Sequence, residues 1–391
     1  MSARAGTLRH HAALVSVGLA LIACAPARPT VAPEPASASL KDVFREDFLI
    51  GAALAESHFN ETDQRGADLV RKHFNTITPE NVLKWEHVHP EPGRFDFTQP
   101  DRYVSFGERN GMFIVGHTLV WHSQTPRWVF EDANGNPLGR DSLLARMREH
   151  IHTVVGRYKG RVKGWDVVNE ALNEDGSLRM TPWRRIIGDD YVAKAFEFAR
   201  EADPDAELYY NDYSVENAPK RNGAVALVKG LLAQGLKVTG VGLQGHDKMD
   251  WPTVAQQDST IAAFAELGLK VMITELDIDV LPPATSNRGA DVGMTAEARA
   301  ALNPYANGLP DSVQTALARR YADLFNVFMR HRDAITRVTF WGVTDADSWL
   351  NNWPVRGRTS YPLLFDREGR PKPAFEALLS AARLRLKVVV P

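Results

Sequence analysis

The sequence predicts an α/β fold of the (β/α)8 TIM-barrel class in a single domain, and three observations carry that expectation. Eight short apolar, β-branched runs recur along the chain, each followed by a helical stretch. These repeats fill the 391-residue chain from about residue 40 onward with no second linker, the size and rhythm of a closed barrel with some long loops. Polar residues collect where the runs end, at Glu80, His117, Glu170, Asn211, His246, Glu275 and Asp345, whereas run interiors are mostly Val, Ile, Leu and Gly. In a barrel the C-terminal strand ends form the mouth that holds the site. A doubly wound open sheet is the alternative, but no G-x-G-x-x-G follows the first run.

Taken in order, residues 1–23 read as a signal peptide: Arg4 and Arg9 precede the apolar run AALVSVGLALIA (12–23), too short to span a bilayer. The run ends in Leu21-Ile22-Ala23-Cys24, which resembles a bacterial lipobox. Cys24 is the only cysteine, and lipidation explains its place better than a lone thiol in an exported protein. Cleavage after Ala23-Cys24-Ala25 is the alternative, against which Pro26 counts. Residues 24–39 form a Pro/Ala-rich tether, and residues 40–391 form the barrel domain. The expected strands are FLIGAAL (48–54), FNTITPE (74–80), MFIVGHT (112–118), VKGWDVVNE (162–170), ELYYNDY (207–213), VTGVGLQGH (238–246), KVMITELD (270–277) and RVTFWGVTD (337–345). Amphipathic helices are expected at 142–158, 191–202 and 312–331.

Composition excludes several classes. A 44% hydrophobic, 24% charged chain can bury a sizeable core. A formal charge of −2 without a long run of one sign leaves no electrostatic footprint for nucleic acid. There is no Walker A, no H-E-x-x-H and no G-x-S-x-G; His117 and His122, five residues apart, make a weak zinc pattern. No D-x-[DN]-x-[DN]-G loop demands calcium. Neither cofactor nor metal is expected, and the protein is expected to be a monomer.

Two carboxylates on different strands suggest acid–base or glycosyl-transfer chemistry. Glu170 ends the fourth run and Glu275 lies at the end of the seventh, 105 residues later. Strands four and seven oppose each other across an eight-stranded mouth, so both side chains can converge on one bound molecule. One Glu alone would read as a solvated loop acid; two that oppose each other point to function. Around Glu170, Asp166 is expected as a buried supporting acid, Glu174 as an exposed loop charge, and Asn169 as an amide that binds a hydroxyl.

The motifs TPENVLKWE (78–86), GHTLVWHSQTP (116–126), WDVVNEA (165–171), YYNDY (209–213), GLQGH (242–246), ITELD (273–277) and FWGVTDADSW (340–349) together resemble the family-10 glycoside hydrolases, the endo-β-1,4-xylanases. That resemblance runs from about residue 40 to the end of the sequence. It implies xylan as substrate and retention of configuration, with Glu275 as nucleophile and Glu170 as acid/base, their carboxyls about 5–5.5 Å apart. It also implies that Glu80, Asn81 and Lys84 bind the second sugar on the glycone side, and that His117 and Asn169 bind hydroxyls of the reacting sugar. Gln244 and His246 would lie near the nucleophile, His246 bonded to Glu275 with Asp277 behind it. Trp121, Trp341 and Trp349 would line the cleft, with Asn211 and Tyr213 as further cleft residues. Trp128, Trp165 and Trp183 are expected in the packing. The long loop at 281–310 either shapes the leaving-group side or is a surface insertion. A different barrel glycanase, or a glycan-binding lipoprotein without catalysis, are the competing functions.

Overall fold

The computed structural model describes residues 38–283 and 300–388, with side chains to residue 383. The expectations for the signal segment, Cys24 and nearly all of the 24–39 tether therefore lie outside the described residues, as do residues 284–299 of the long loop. The domain begins at a helix, Leu40–Val43, whose first turn is capped by the Ser39 side chain accepting from the Asp42 amide.

Eight parallel strands close a barrel: β1 (Leu49–Leu54), β2 (Thr76–Pro79), β3 (Phe113–Val120), β4 (Gly164–Asn169), β5 (Glu207–Asp212), β6 (Gly240–Leu243), β8 (Lys270–Asp279) and β9 (Ile335–Phe340). Closure comes from β1 pairing with β9 and β6 with β8. A three-residue strand, β7 (His246–Lys248), adds a short ladder to the far end of β8, with His246 opposite Asp277. Every residue of β4 is buried, and so is every residue of β8 after Lys270. Burial on both faces explains why the strands read as continuous apolar runs without polar alternation. The outer ring includes the helices Arg140–Arg157, Tyr191–Ala202 and Asp311–Arg330, close to the expected bounds.

Two details differ from the sequence expectation. Glu275 does not close its strand: β8 continues to Asp279, and a bulge between Ile273 and Leu276 breaks its register with β9 there. A bulge re-aims the side chains at its position. Asp345 lies five residues beyond β9 and does not line the cleft; it is fully buried, ion-paired to Lys372 at 2.8 Å and accepting from the Leu363 amide. It is a structural acid, since a buried carboxylate persists where a cation and an amide compensate it.

Candidate active site

Glu170 follows β4 directly and adopts a left-handed backbone (φ 57°), fixed by its amide donating to Asn211 O at 2.9 Å. A non-glycine residue in that region is strained, and the hydrogen-bonded surroundings hold it there. Its carboxylate is surrounded by donors. Trp121 Nε1 donates to Oε2 at 2.9 Å, and Gln244 Nε2 and Asn169 Nδ2 donate to Oε1 at 3.0 and 3.2 Å. Trp121 is itself tethered, because Trp183 Nε1 donates to its carbonyl at 2.8 Å. Trp183 is buried as expected, yet it also positions a cleft residue.

Glu275 is 5% exposed and more tightly held. Asn211 Nδ2 donates to Oε1 at 2.8 Å, and His246 Nε2 donates to Oε2 at 3.2 Å. Behind His246, Nδ1 meets Asp277 Oδ1 at 3.1 Å, and Trp349 Nε1 donates to Asp277 Oδ2 at 2.7 Å. Burial opposes a charge on His246, but Asp277 and then Glu275 outweigh it and lift the imidazole to about 10. It is therefore an imidazolium that donates from both nitrogens at neutral pH. Burial would likewise raise the Glu275 carboxyl; the His246 hydrogen bond, the charges of His117 and His246 and the Asn211 amide outweigh burial and hold it below its usual range.

The two carboxylates share one hydrogen-bond chain. Asn211 Nδ2, bonded to Glu275, also donates to Asn169 Oδ1 at 2.8 Å, and Asn169 Nδ2 reaches Glu170. Asn211 is oriented by Thr274 Oγ1, which donates to its Oδ1 at 2.6 Å. The GLQGH motif makes room for this amide: a Cβ on Gly242 would stand 2.2 Å from Asn211 Oδ1. Gly245 takes φ +76°, turning the chain from Gln244 into β7.

Both carboxylates line a single cleft of about 770 Å³ at the C-terminal mouth of the barrel, together with Glu80, Asn81, Lys84, His117, Trp121, Asn169, Gln244, His246, Trp341 and Trp349. On one side Lys84 Nζ donates to Asn81 Oδ1 at 3.0 Å and lies 5.1 Å over the Trp121 ring. Burial lowers the Lys84 ammonium against the pull of Glu275, Glu80, Glu170 and Glu86. Burial pushes Glu80 up to about 7 against His58 and Lys84, with Asp347 adding to the rise. His117 is fixed by Asp166, 2.9 Å from its Nδ1, so Asp166 is the buried supporting acid that its place inside β4 suggests. Glu174 is exposed, as expected, accepts from Lys220 at 3.2 Å and does not line the cleft.

Gln244 lies beside Glu275, its carbonyl accepting from the Glu275 amide at 2.7 Å, and its side chain also reaches Glu170. Sequence reasoning also passed over cleft residues. Gln124 accepts from Lys84 Nζ at 2.8 Å and lies inside the quoted GHTLVWHSQTP motif, so its polarity beside Trp121 was a usable signal. Ser123 and Asp347, which lie inside the quoted motifs 116–126 and 340–349, also line the cleft, as do Ser214 and Trp353, which lie outside any quoted motif. Trp128, half-buried, donates to Pro90 O at 2.9 Å, and Trp165 is fully buried.

A profile described as Glycosyl hydrolase family 10 matches residues 39–381. The chain is 43% identical over 341 residues to an endo-1,4-beta-xylanase A of Xylanibacter ruminicola, covering 87% of this chain and 92% of that protein. It is 44% identical to a beta-1,4-xylanase of Dictyoglomus thermophilum, over 86% of this chain and 89% of the relative. Among solved structures, a GH10 endoxylanase from a sugarcane soil metagenome superposes with a TM-score of 0.83 at 45% identity, covering 88% of this chain and 99% of that one. A mutant solved in complex with xylotriose superposes with a TM-score of 0.78 at 38% identity, over 87% and 99% of the two chains. With the barrel closed, two carboxylates at its mouth and the family profile spanning nearly the whole described fold, the chain belongs to glycosyl hydrolase family 10.

Proposed function

We propose that this hydrolase is an endo-1,4-β-xylanase that cleaves internal bonds of xylan with retention of anomeric configuration. The observation that carries the mechanism is the unequal company of the two carboxylates: Glu275 is held ionised by His246 and Asn211, while Glu170 faces the same cleft without a cation bonded to it. The names of the relatives and the xylotriose complex of one structural neighbour support the substrate class.

In the first step an oxygen of Glu275 attacks the anomeric carbon, the glycosidic C–O bond breaks, and Glu170 gives its proton to the departing oxygen. Through this step Glu275 carries the negative charge and Glu170 the proton. Forming the glycosyl ester removes the charge. Glu170 then takes a proton from water, whose oxygen attacks the anomeric carbon and frees Glu275. Glu80, Asn81 and Lys84 bind the second sugar on the glycone side. His117 and Asn169 bind hydroxyls of the reacting sugar, and Trp121, Trp341 and Trp349 meet its apolar faces.

Reducing-sugar release from xylan, cellulose and mannan, with product anomers followed by NMR, tests the reading. Xylan is expected to be the best substrate, with first-formed β-anomers; no turnover of xylan, or α-anomers, would overturn it. Glu275→Ala is expected to lose roughly 10⁴-fold or more in kcat while retaining xylo-oligosaccharide binding. Export with a lipid on Cys24 belongs to the same proposal. Cys24→Ala is expected to leave the membrane fraction, and unchanged membrane attachment would count against the anchor.

A further inference from the structure

A second cavity, of about 240 Å³, lies beside the cleft and shares His246, Trp349 and Trp353 with it. Trp353, 57% exposed, borders both spaces. At the cavity wall is Arg358, only 4% exposed. Its Nη1 and Nη2 donate to the carbonyls of Pro282 and Trp353, at 3.3 and 3.1 Å, and its buried Nε has no hydrogen-bond partner among the described residues. Two neutral carbonyls do not compensate a buried guanidinium, and an unpaired buried cation is costly to keep.

Of the carboxylates bordering the cavity, Asp279 attracts Arg358 electrostatically, but none hydrogen-bonds to it. Asp279 is engaged by Lys248 Nζ at 2.8 Å and by the Leu281 amide at 2.9 Å, and Asp277 is taken by His246 and Trp349. Asp247, which also borders the cavity, lies 3.7 Å from Arg320 Nη2, and burial pushes its carboxyl up. His246 lies between Asp277 and Glu275 and Lys248 pairs with Asp279, which leaves Arg358 as the cation at this cavity with no hydrogen-bonded carboxylate among the described residues. Trp349, Trp353, Leu350 and Pro354 give the cavity apolar walls.

We propose that this cavity receives a carboxylate-bearing branch of the polysaccharide, a uronic acid substituent, with Arg358 as its counter-ion. The planar guanidinium suits a carboxylate, and a branch carried into the cavity past Trp353 would bring one to a cation that no described carboxylate hydrogen-bonds. This rests on the xylan reading of the cleft.

The test compares kcat/KM of the wild type on uronic-acid-substituted xylan, on the same polymer after its carboxyls are reduced to alcohols, and on unsubstituted xylan. The substituted polymer is expected to be preferred over its reduced form roughly tenfold, the scale of one charge-assisted hydrogen bond. In Arg358→Gln that ratio is expected to fall toward one, and if the variant does not fold, the wild-type ratio alone decides. A wild-type ratio of one, or a ratio unchanged in folded Arg358→Gln, overturns the proposal while turnover of unsubstituted xylan leaves the xylanase reading standing. No turnover of any of the three polymers overturns the xylanase reading and this inference with it.

Discussion

Glu170 and Glu275 carry the same functional group, and their partners divide the work between them. Glu275 accepts from an imidazolium that Asp277 holds charged, so replacing His246 removes the main influence opposing burial. His246→Asn is therefore expected to move the acid limb of the kcat/KM profile to higher pH: with the depressing partner gone, the Glu275 carboxyl titrates later and the active ionised form is lost sooner as pH falls. A pH–rate profile checks it, and an unmoved acid limb would remove His246 from this role. Asn211 offers a sharper substitution. Its Nδ2 donates to both Glu275 and Asn169, and Asn211→Asp keeps the shape but turns the donor into an acceptor facing Glu275. A loss of roughly 10²-fold in kcat is expected, comparable to deleting one aligned donor at a reacting centre. KM should change far less, which steady-state kinetics on a xylo-oligosaccharide would separate.

At the scale of the elements, site geometry depends on how neighbouring strands tolerate one another. β6 can approach β5 closely only because position 242 has no side chain; there a Cβ would meet the Asn211 oxygen at 2.2 Å and Thr274 Cγ2 at 2.8 Å. Gly242→Ala is expected to cost about 1–3 kcal/mol of stability by overpacking. It should also lower kcat through the displaced amide, so thermal melts and kinetics must move together; a fully active, equally stable variant would show that the strands give way. The eight barrel strands were legible as apolar runs because both faces are buried, and Glu170 was legible because it follows such a run in WDVVNE. β7 was not, since three residues of H-D-K carry no periodic signal and pair only because β8 extends past Glu275. The bulges in β3 and β8 were equally hidden, for register is fixed by the partner strand and leaves no mark within one run. The direction of the Gln244 side chain was hidden likewise: its backbone lies beside Glu275, but its side chain turns toward Glu170 after β4.

The whole molecule must keep this mouth intact over the pH range in which it acts, and one buried cluster sets an acid limit. His150, on the helix Arg140–Arg157, stacks on Trp85 at 3.6 Å between ring centroids, and its Nδ1 meets His89 Nδ1 at 3.3 Å; His89 stacks in turn on Phe95 at 3.7 Å. One of the two facing Nδ1 atoms must lack a proton, and neither Nε2 has a partner among the described residues, so this pocket favours neutral rings. Burial drives His150 well below its usual value and His89 to about 4. In the unfolded chain both would titrate near 6.5. Between those values the unfolded state binds more protons, so stability rises with pH there and is lost as pH falls below about 6.5. The buried carboxyls of Glu80 and Glu216, held up to about 7, act with the opposite sign, so the histidine contribution is read as a difference between proteins. His150→Phe keeps an aromatic ring against Trp85 and is expected to cost about 1 kcal/mol at pH 8 through the lost hydrogen bond. From pH 7 to pH 5 the wild type should lose about 2 kcal/mol more than this variant, since only the wild type has that proton to reject. Denaturant unfolding at both pH values measures it: parallel losses in the two proteins would mean that His150 accepts its proton inside the fold.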